Sequence, residues 1–515
     1  MSKVSKLFAA ELDGIEAKLI EVETDINVGL HSFNIVGLAD KSLSEAKERV
    51  SSALKNIGVK PPTKENRKII VNLAPADLKK TGSHYDLPIS LGYLLASGQI
   101  KEFDARDKIF VGELSLEGKL RPIIGALNIA RLARKQGFKC LILPKQNSIE
   151  AAIIPGLKII PVENLAELIE HLEERKEIKP QPETKIEAAE NLSSVDISEI
   201  KGQENAKRAL MIAASGGHNI LMVGSPGTGK SMLAQALNSI LPPPTLEEAI
   251  EITQIYSSAG LLKDQPYINY RPFRSPHQTA SPAAVIGGGT NPKPGEISLA
   301  HRGILFLDEL PEFRRDLLES LRQPIESGQA FISRVKNNLV LPAKFTLVVA
   351  MNPCPCGFYN DPEKECRCSA FEVLRYQKKI SGPLLDRIDI QIDVPRVKYE
   401  KLTEKKPFTG ESEKIRSKVM AAREIQAERF KGLPKKRKIF TNSEMTSKEC
   451  DELIRLDKNS EEFLKKVFDK SLISARGYYR ILKTAQTIAD LEEAAIVGQN
   501  HIAEAFNYRI REEKE

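Results

Sequence analysis

Residues 218–240 read HNILMVGSPGTGKSMLAQALNSI, and this stretch decides the fold. Four apolar residues, Ile220 to Val223, run straight into Gly224-Ser225-Pro226-Gly227-Thr228-Gly229-Lys230-Ser231, and an apolar spacing of helical period follows. Strand, glycine loop and helix in that order are the context that gives the eight-residue phosphate-binding pattern its meaning. Glycines let backbone N–H groups turn inward around phosphate oxygens, and the following helix adds its positive N-terminal end. The pattern predicts that Lys230 reaches the β- and γ-phosphates of a nucleotide and that Ser231 ligates Mg2+. The alternative is a glycine-rich turn without a ligand, and the flanking strand and helix weigh against it.

Two further apolar strands work outward from this loop. Ile304–Leu307 ends in Asp308-Glu309, and KFTLVVAMN ends in Met351-Asn352. In an open parallel sheet these ends share one edge with the glycine loop. Asp308 is then suited to hold Mg2+, Glu309 to orient and polarise the attacking water, and Asn352 to position that water. Read alone, an acidic pair or an Asn before Pro353 is equally a turn. Strands alternate with helices across residues 195–396, which predicts an α/β core with a parallel sheet between helices.

The chain has 515 residues, enough for about three domains at roughly 100–200 residues each. We expect an α/β domain over 1–175, a linker over 176–194, where mixed charge replaces apolar content, the core over 195–396 and a helical domain over 412–515. With 41% hydrophobic and 28% charged residues, a wholly disordered chain is excluded. No run of eighteen uncharged apolar residues occurs, so no membrane span or membrane partner is expected. The N-terminal residues meet acidic side chains before any long apolar run, so the cytoplasm is the expected compartment. Lys and Arg number 76 against 69 Asp and Glu, a net +7 that points only weakly to an anionic partner. The run Lys431 to Lys438 is basic, but such runs between helices are usually solvated.

Four of the six cysteines, Cys354, Cys356, Cys366 and Cys368, form a C-x-C…C-x-C set within residues 354–368. Four thiolates in tetrahedral arrangement bind Zn2+ tightly and staple a loop that is otherwise costly to order. The spacing is tighter than the commoner C-x2-C, and free thiols or a transient disulfide are the alternatives. Cys140, inside KCLILP, reads as a small core residue.

Together the motifs GSPGTGKSMLAQAL, RPFRSPHQTASPAAVIGGG, PGEISLAHRGILFLDELPEF, LRQPIESG, VVAMNPCPCGFYND and ISGPLLDRIDI resemble the magnesium-chelatase-like AAA+ ATPases of the YifB/ComM family over essentially the whole chain. The resemblance implies ATP hydrolysis with Mg2+, an AAA+ sheet with a helical lid, and a homo-oligomer, a hexameric ring. It implies that Arg387 is an arginine finger reaching a neighbouring subunit and Arg476 a second sensor on the lid, with a local ion pair as the alternative for each. It further implies a channel-facing insertion around Arg271, Arg274, Gly287–Gly289 and Lys293, to which the hairpin FISRVKNNLVLPAKF, with Arg334, Lys336 and a turn at Asn337-Asn338, adds a second channel candidate. Where the family usually has two histidines, this chain has His277-Gln278. ComM-type relatives act on DNA as branch-migration helicases, so single-stranded or branched DNA is the implied partner. A metal-insertion or protein-remodelling motor and a nucleotide-switched scaffold are the competing expectations.

Residues 1–170 resemble the Lon-protease-like fold, through VNLAPADLKKTGSHYDLPISLGYLLA and GKLRPIIGALNIARLARKQGFKCLILP. The positions of the protease's nucleophilic Ser and its Lys fall at Ile89 and Asn128, so no acyl-enzyme chemistry is expected. Related degenerate domains in RadA helicases contribute to DNA handling and ring assembly.

Overall fold

A computed structural model of the chain describes residues 4–38, 40–64, 66–187, 195–262, 265–289, 293–332, 339–397, 399–403, 410–434, 439–470 and 474–509. They divide into two compact units, Met1–Glu187 with Leu246–Ile268, and Ala188–Thr245 with Asn269–Glu515.

The first unit opens with a long antiparallel pair, β1 (Ser5–Asp13) and β2 (Glu16–Val28), turned at Gly14 with φ +70°. In β2 the side chains of Ile20, Val22 and Thr24 are buried while Glu21, Glu23 and Asp25 between them face outward, the period-2 pattern of a half-buried strand. With β3 (Ser32–Val36) and β4 (Arg67–Ala74) they form a sheet of order β1-β2-β4-β3. The helix α1 (Asp86–Ala96) is apolar nearly all round and packs on β1 and β2. A second, parallel sheet joins β5 (Lys108–Phe110), β6 (Cys140–Pro144) and β7 (Lys158–Val162), with α2 (Ala126–Lys135) against β6. Every residue of β6 is buried, as its unbroken apolar run requires. Residues 176–187, expected as open linker, are tied to this unit. The Gln181 N–H donates to the Ile159 carbonyl at 2.9 Å and the Thr184 N–H to Ala152 at 3.0 Å.

The second unit begins with α3 (Glu204–Gly216), β8 (Ile220–Val223) and α4 (Lys230–Ile240). The next helix, α5 (Leu246–Ala259), departs from the expected 195–396 core, because it packs in the first unit against α2. Its acidic and apolar spacing marks a helix but says nothing of what covers it. The Asn128 amide donates to the Ile15 carbonyl at 2.5 Å and to the Gln254 carbonyl at 3.3 Å, and Arg131 donates to the Gln254 side chain at 2.6 Å. Buried Glu150 accepts from the Leu127 N–H at 2.9 Å and from the Ser257 hydroxyl. The position where a protease Lys would stand thus supplies a buried anchor for α5, and Ile89 is fully buried apolar core.

Beyond α5, the strands β9 (Phe273–Arg274), β10 (Ile304–Leu307), β11 (Thr346–Met351) and β12 (Ile390–Asp393) complete a five-stranded parallel sheet of order β9-β10-β11-β8-β12. The C-terminal helices α6 (Glu411–Phe430), α7 (Ala475–Leu491) and α8 (Gln499–Asn507) pack into the core of the sheet. Val419, Ile481, Ala485 and Ile502 are buried in the same apolar cluster as Ile220 and Leu233. A smaller cluster of Phe430, Met445 and Cys450 lies within the C-terminal region, but the shared one is larger and ties 412–515 to the sheet's unit.

Candidate active site

Parallel pairing fixes which residues meet. Val223 of β8 pairs with Met351 of β11, and Leu307 of β10 with Val349, so Gly224, Asp308 and Asn352 all emerge at one edge of the sheet. That edge is where open α/β sheets bind ligands. Gly227 and Gly229 take φ +79° and +87°, values a side chain would resist, and leave the loop's N–H groups free to curl. The ammonium of Lys230, mostly buried at the start of α4, donates to the carbonyls of Gly224 at 2.7 Å and Ser225 at 3.0 Å and to Asn352 Oδ1 at 3.2 Å. Burial lowers its pKa, and the nearby charges of Asp308 and Glu309 work in the opposite direction. The Ser231 hydroxyl donates to Asp308 Oδ2 at 2.9 Å. A hydroxyl and a carboxylate side by side are the hard oxygen donors Mg2+ selects, so the residues present fit that ion.

Glu309 is exposed, and its backbone sits at φ +53°, in the left-handed region that costs a non-glycine residue about 1–3 kcal/mol. The bend ends β10 and is fixed by the Glu309 N–H donating to Asp308 Oδ1 at 3.0 Å.

Arg387 and Arg476 converge on a single carboxylate. Arg387, largely buried after β11 and before β12, pairs through Nη2 with Glu326 and donates from Nη1 to the Pro383 carbonyl at 2.6 Å. Arg476, exposed in the first turn of α7, lies 3.5 Å from the other oxygen of Glu326. One turn further along α7, Arg480 donates to the Arg387 carbonyl at 3.0 Å and pairs with buried Asp389. Burial opposes ionisation of Asp389, but the charge of Arg480 together with His218 and Lys483 outweighs it and holds the carboxyl well below the usual range. Glu326 lies within the quoted LRQPIESG motif, yet nothing in its spacing marks it as the meeting point of two cations.

The expected channel residues fare differently. Arg271 is buried, donating to the Pro242 carbonyl at 2.6 Å and the Arg302 carbonyl at 2.7 Å, so it holds loops together and offers no grip on a ligand. Arg274 forms a two-point pair with Glu296 at 2.6 and 2.8 Å. Lys293 is exposed, on a two-residue strand paired with Gly287-Gly288. His277 is exposed and bonds Thr279 at 2.8 Å. Strands Gln329–Ile332 and Leu339–Pro342 pair antiparallel, while Arg334, Lys336, Asn337 and Asn338 lie outside the described residues, as do Lys435–Lys438 of the basic run.

The four cysteines of the 354–368 loop form a compact centre, their sulfurs all within 4.8 Å of one another. The Cys354–Cys356, Cys354–Cys366 and Cys356–Cys366 separations are 3.4, 3.7 and 3.6 Å. These are far beyond a disulfide bond, and close to the edge of about 3.8 Å that a tetrahedron with Zn–S of about 2.3 Å requires. The Tyr359 N–H donates to Cys354 Sγ at 3.3 Å, and a backbone hydrogen bond from Phe358 leads the effects that draw the Cys356 thiol down to about 6. Four sulfurs at this spacing, with an inward N–H group, suit a soft tetrahedral cation such as Zn2+. Cys140 and Cys450, by contrast, are buried singly, and burial pushes each thiol up to about 11.

Asp361, inside the same loop, had no signal in the sequence beyond a polar, turn-forming stretch. Its Oδ2 accepts from the Ser225 hydroxyl at 2.5 Å and from Arg396 Nε at 2.9 Å, and its Oδ1 accepts the N–H groups of Glu363 and Lys364 at 2.9 and 3.0 Å. The Ser225 bond, with the backbone donors and Arg396, holds its carboxyl down at about 2.

A parallel sheet of this strand order, with a glycine loop after its central strand and an acidic pair and an Asn closing its neighbours, defines a P-loop nucleoside triphosphatase core of AAA+ type. The chain matches the family models described as magnesium chelatase, subunit ChlI, over residues 196–402, subunit ChlI of Mg-chelatase over 22–147, and the subunit ChlI C-terminal region over 409–509. It is 42% identical over 499 residues to competence protein ComM of Haemophilus influenzae, covering 96% of this chain and 95% of the relative. It is 41% identical over 498 residues to YifB of Escherichia coli, with the same coverage of both chains. Part of the chain is also 28% identical over 147 residues to the Lon protease of Rhizobium meliloti, 18% of that protein's length. The chain belongs to the YifB/ComM family of magnesium-chelatase-like AAA+ proteins. Among the described residues no helix is long and apolar enough to cross a membrane.

Proposed function

We propose that this chain is a ring-forming ATPase that couples ATP hydrolysis to movement along DNA, acting on branched strands as a helicase of the kind used in recombination and natural transformation. The observation that carries the reading is the meeting of Lys230, Ser231, Asp308 and Asn352 at one sheet edge, in a chain that aligns nearly end to end with a relative named for competence.

In this mechanism Lys230 exchanges the carbonyls of Gly224 and Ser225 for the β- and γ-phosphate oxygens, and the loop's N–H groups take up the rest of the phosphate charge. Ser231 and Asp308 would hold Mg2+, which when bound would supply positive charge against the phosphate oxygens. Glu309 accepts a proton from the attacking water, and Asn352 fixes that water's orientation from the adjacent strand end. Arg387 leaves Glu326 and stabilises the γ-phosphate charge of a neighbouring subunit's nucleotide, so that turnover depends on a closed ring, a hexamer by family likeness. Arg476 reads nucleotide state from the lid, tied through Arg480 to the segment that carries Arg387. Cys354, Cys356, Cys366 and Cys368 would hold a structural Zn2+ that staples their loop. Lys293, exposed on its two-residue strand, is a described channel candidate that would meet a phosphate backbone.

The test is conversion of a fluorescent four-way junction into separated duplexes by purified protein with ATP and Mg2+. Lys230→Ala and Glu309→Gln proteins should leave the junction intact. Equal conversion by either variant and the wild type would refute the assignment of the motor to this site.

A further inference from the structure

The cysteine loop and the phosphate loop touch. Asp361 takes the Ser225 hydroxyl at 2.5 Å, and Ser225 is itself buried within the phosphate-binding sequence. Gly357, at φ +85°, lies so close to Pro226 that a Cβ there would stand 2.5 Å from the ring Cδ. From the other side, Arg396, just past β12, donates to the same Asp361 oxygen, and its guanidinium lies 5.6 Å from the Phe358 ring centroid. The loop also starts at the site, since Cys354 follows Asn352 by two residues at the end of β11. The segment between Cys356 and Cys366 therefore has both ends in the cysteine centre, with Gly357 at its start against Pro226 and Asp361 in its middle against Ser225.

We propose that this loop is a metal-dependent brace of the phosphate loop, with Asp361 as the positioning residue that holds Ser225. The inference rests on the ATP-site reading above and adds to it a partner within the same subunit. A chain of nine residues between Cys356 and Cys366 has many conformations, and tetrahedral coordination of the four thiolates removes most of them. With the cysteines clamped, Asp361 is presented to Ser225 and Arg396 at fixed distance, and Gly357 closes over Pro226. With the clamp released, the phosphate loop loses one charge-assisted hydrogen bond and a packed neighbour, and nucleotide binding then has to order it. The loop chemistry fits this division of labour. Asp361 is the carboxylate in the segment that bonds the phosphate loop, whereas Glu363 reaches outward to Arg396 at 3.4 Å.

The experiment measures the affinity of the full-length protein for a fluorescent ATP analogue, with zinc content and thermal unfolding recorded on each sample. Asp361→Ala should keep its zinc and its unfolding transition while its Kd rises at least fivefold, the effect of losing a charge-assisted hydrogen bond. Wild type stripped of zinc by a chelator should show a rise of the same size, reversed by adding Zn2+, and this reversibility serves even where Cys366→Ser fails to fold. Stripping the Asp361→Ala protein should add less than twofold, because metal and carboxylate act through one contact. A rise below fivefold in either protein, or fully additive effects, overturns the brace. Failure of the wild type to bind the analogue at all would instead overturn the ATP-site reading.

Discussion

Lys230 and Asn352 are 122 residues apart in sequence, yet the ammonium of one donates to the amide oxygen of the other at 3.2 Å. Neighbouring strands β8 and β11 bring them together, and the contact joins the residue assigned to the phosphates with the residue assigned to the water. Lys230→Ala should abolish both nucleotide binding and hydrolysis. Asn352→Ala should leave nucleotide affinity within a few-fold and lower kcat by about 10–100-fold, since it orients a group that other residues activate. Binding titrations beside steady-state rates separate the two outcomes.

Glu309→Gln keeps the shape of the side chain and removes its basicity. Hydrolysis should fall by about 10²–10⁴-fold with nucleotide binding retained, the usual contribution of a positioned general base. Turnover at the wild-type rate would remove Glu309 from that role.

The glycine loop, the Asp308-Glu309 pair and Asn352 were legible because each follows a short apolar strand, and a parallel sheet leaves strand ends little choice of neighbour. That the four cysteines cluster was legible from their closeness in sequence, although the tight C-x-C spacing left free thiols or a disulfide open. Other features were not. In the hairpin β1–β2, β2 carries an alternating pattern, Ile20-Glu21-Val22-Glu23, but from Ile20 onward its apolar residues come singly between polar ones and lack the unbroken apolar run that marks strands such as β6 and β8. The helix α5 has the periodicity of any amphipathic helix, and its partners Asn128 and Arg131 lie more than a hundred residues upstream, where no local rule reaches. Asp361 and Glu326 belong to the same class. Their importance comes from what folds against them, and a carboxylate in a polar turn or on a short helix carries no mark of that.

Arg387→Ala should reduce ATP hydrolysis by about 10³-fold or more while leaving nucleotide binding intact. If the residue acts on a neighbour, mixing Arg387→Ala with Lys230→Ala protein restores part of the rate, because each can supply what the other lacks. Loss of nucleotide binding in Arg387→Ala would contradict the assignment and return the residue to a structural pair with Glu326.

The purified protein should carry one zinc per chain, and Cys366→Ser or Cys368→Ser should reduce that content towards zero. Metal analysis of protein purified without added metal checks this directly. Full retention of zinc in both variants would contradict a four-cysteine site.

Asn128→Ala should destabilise the first unit by about 1–3 kcal/mol, because the carbonyls of Ile15 and Gln254 lose a buried donor. A denaturant midpoint unchanged from the wild type would remove Asn128 as the anchor of α5.

The most direct test of the central claim is the rate of ATP hydrolysis by the full-length protein with no DNA, single-stranded DNA, duplex and a four-way junction, at one fixed salt concentration, because phosphate contacts are strongly screened. The account predicts stimulation by DNA, greatest with the junction and absent in Lys230→Ala. Steady hydrolysis indifferent to every DNA would contradict it and turn the reading towards a motor that acts on a protein or a metal-insertion partner.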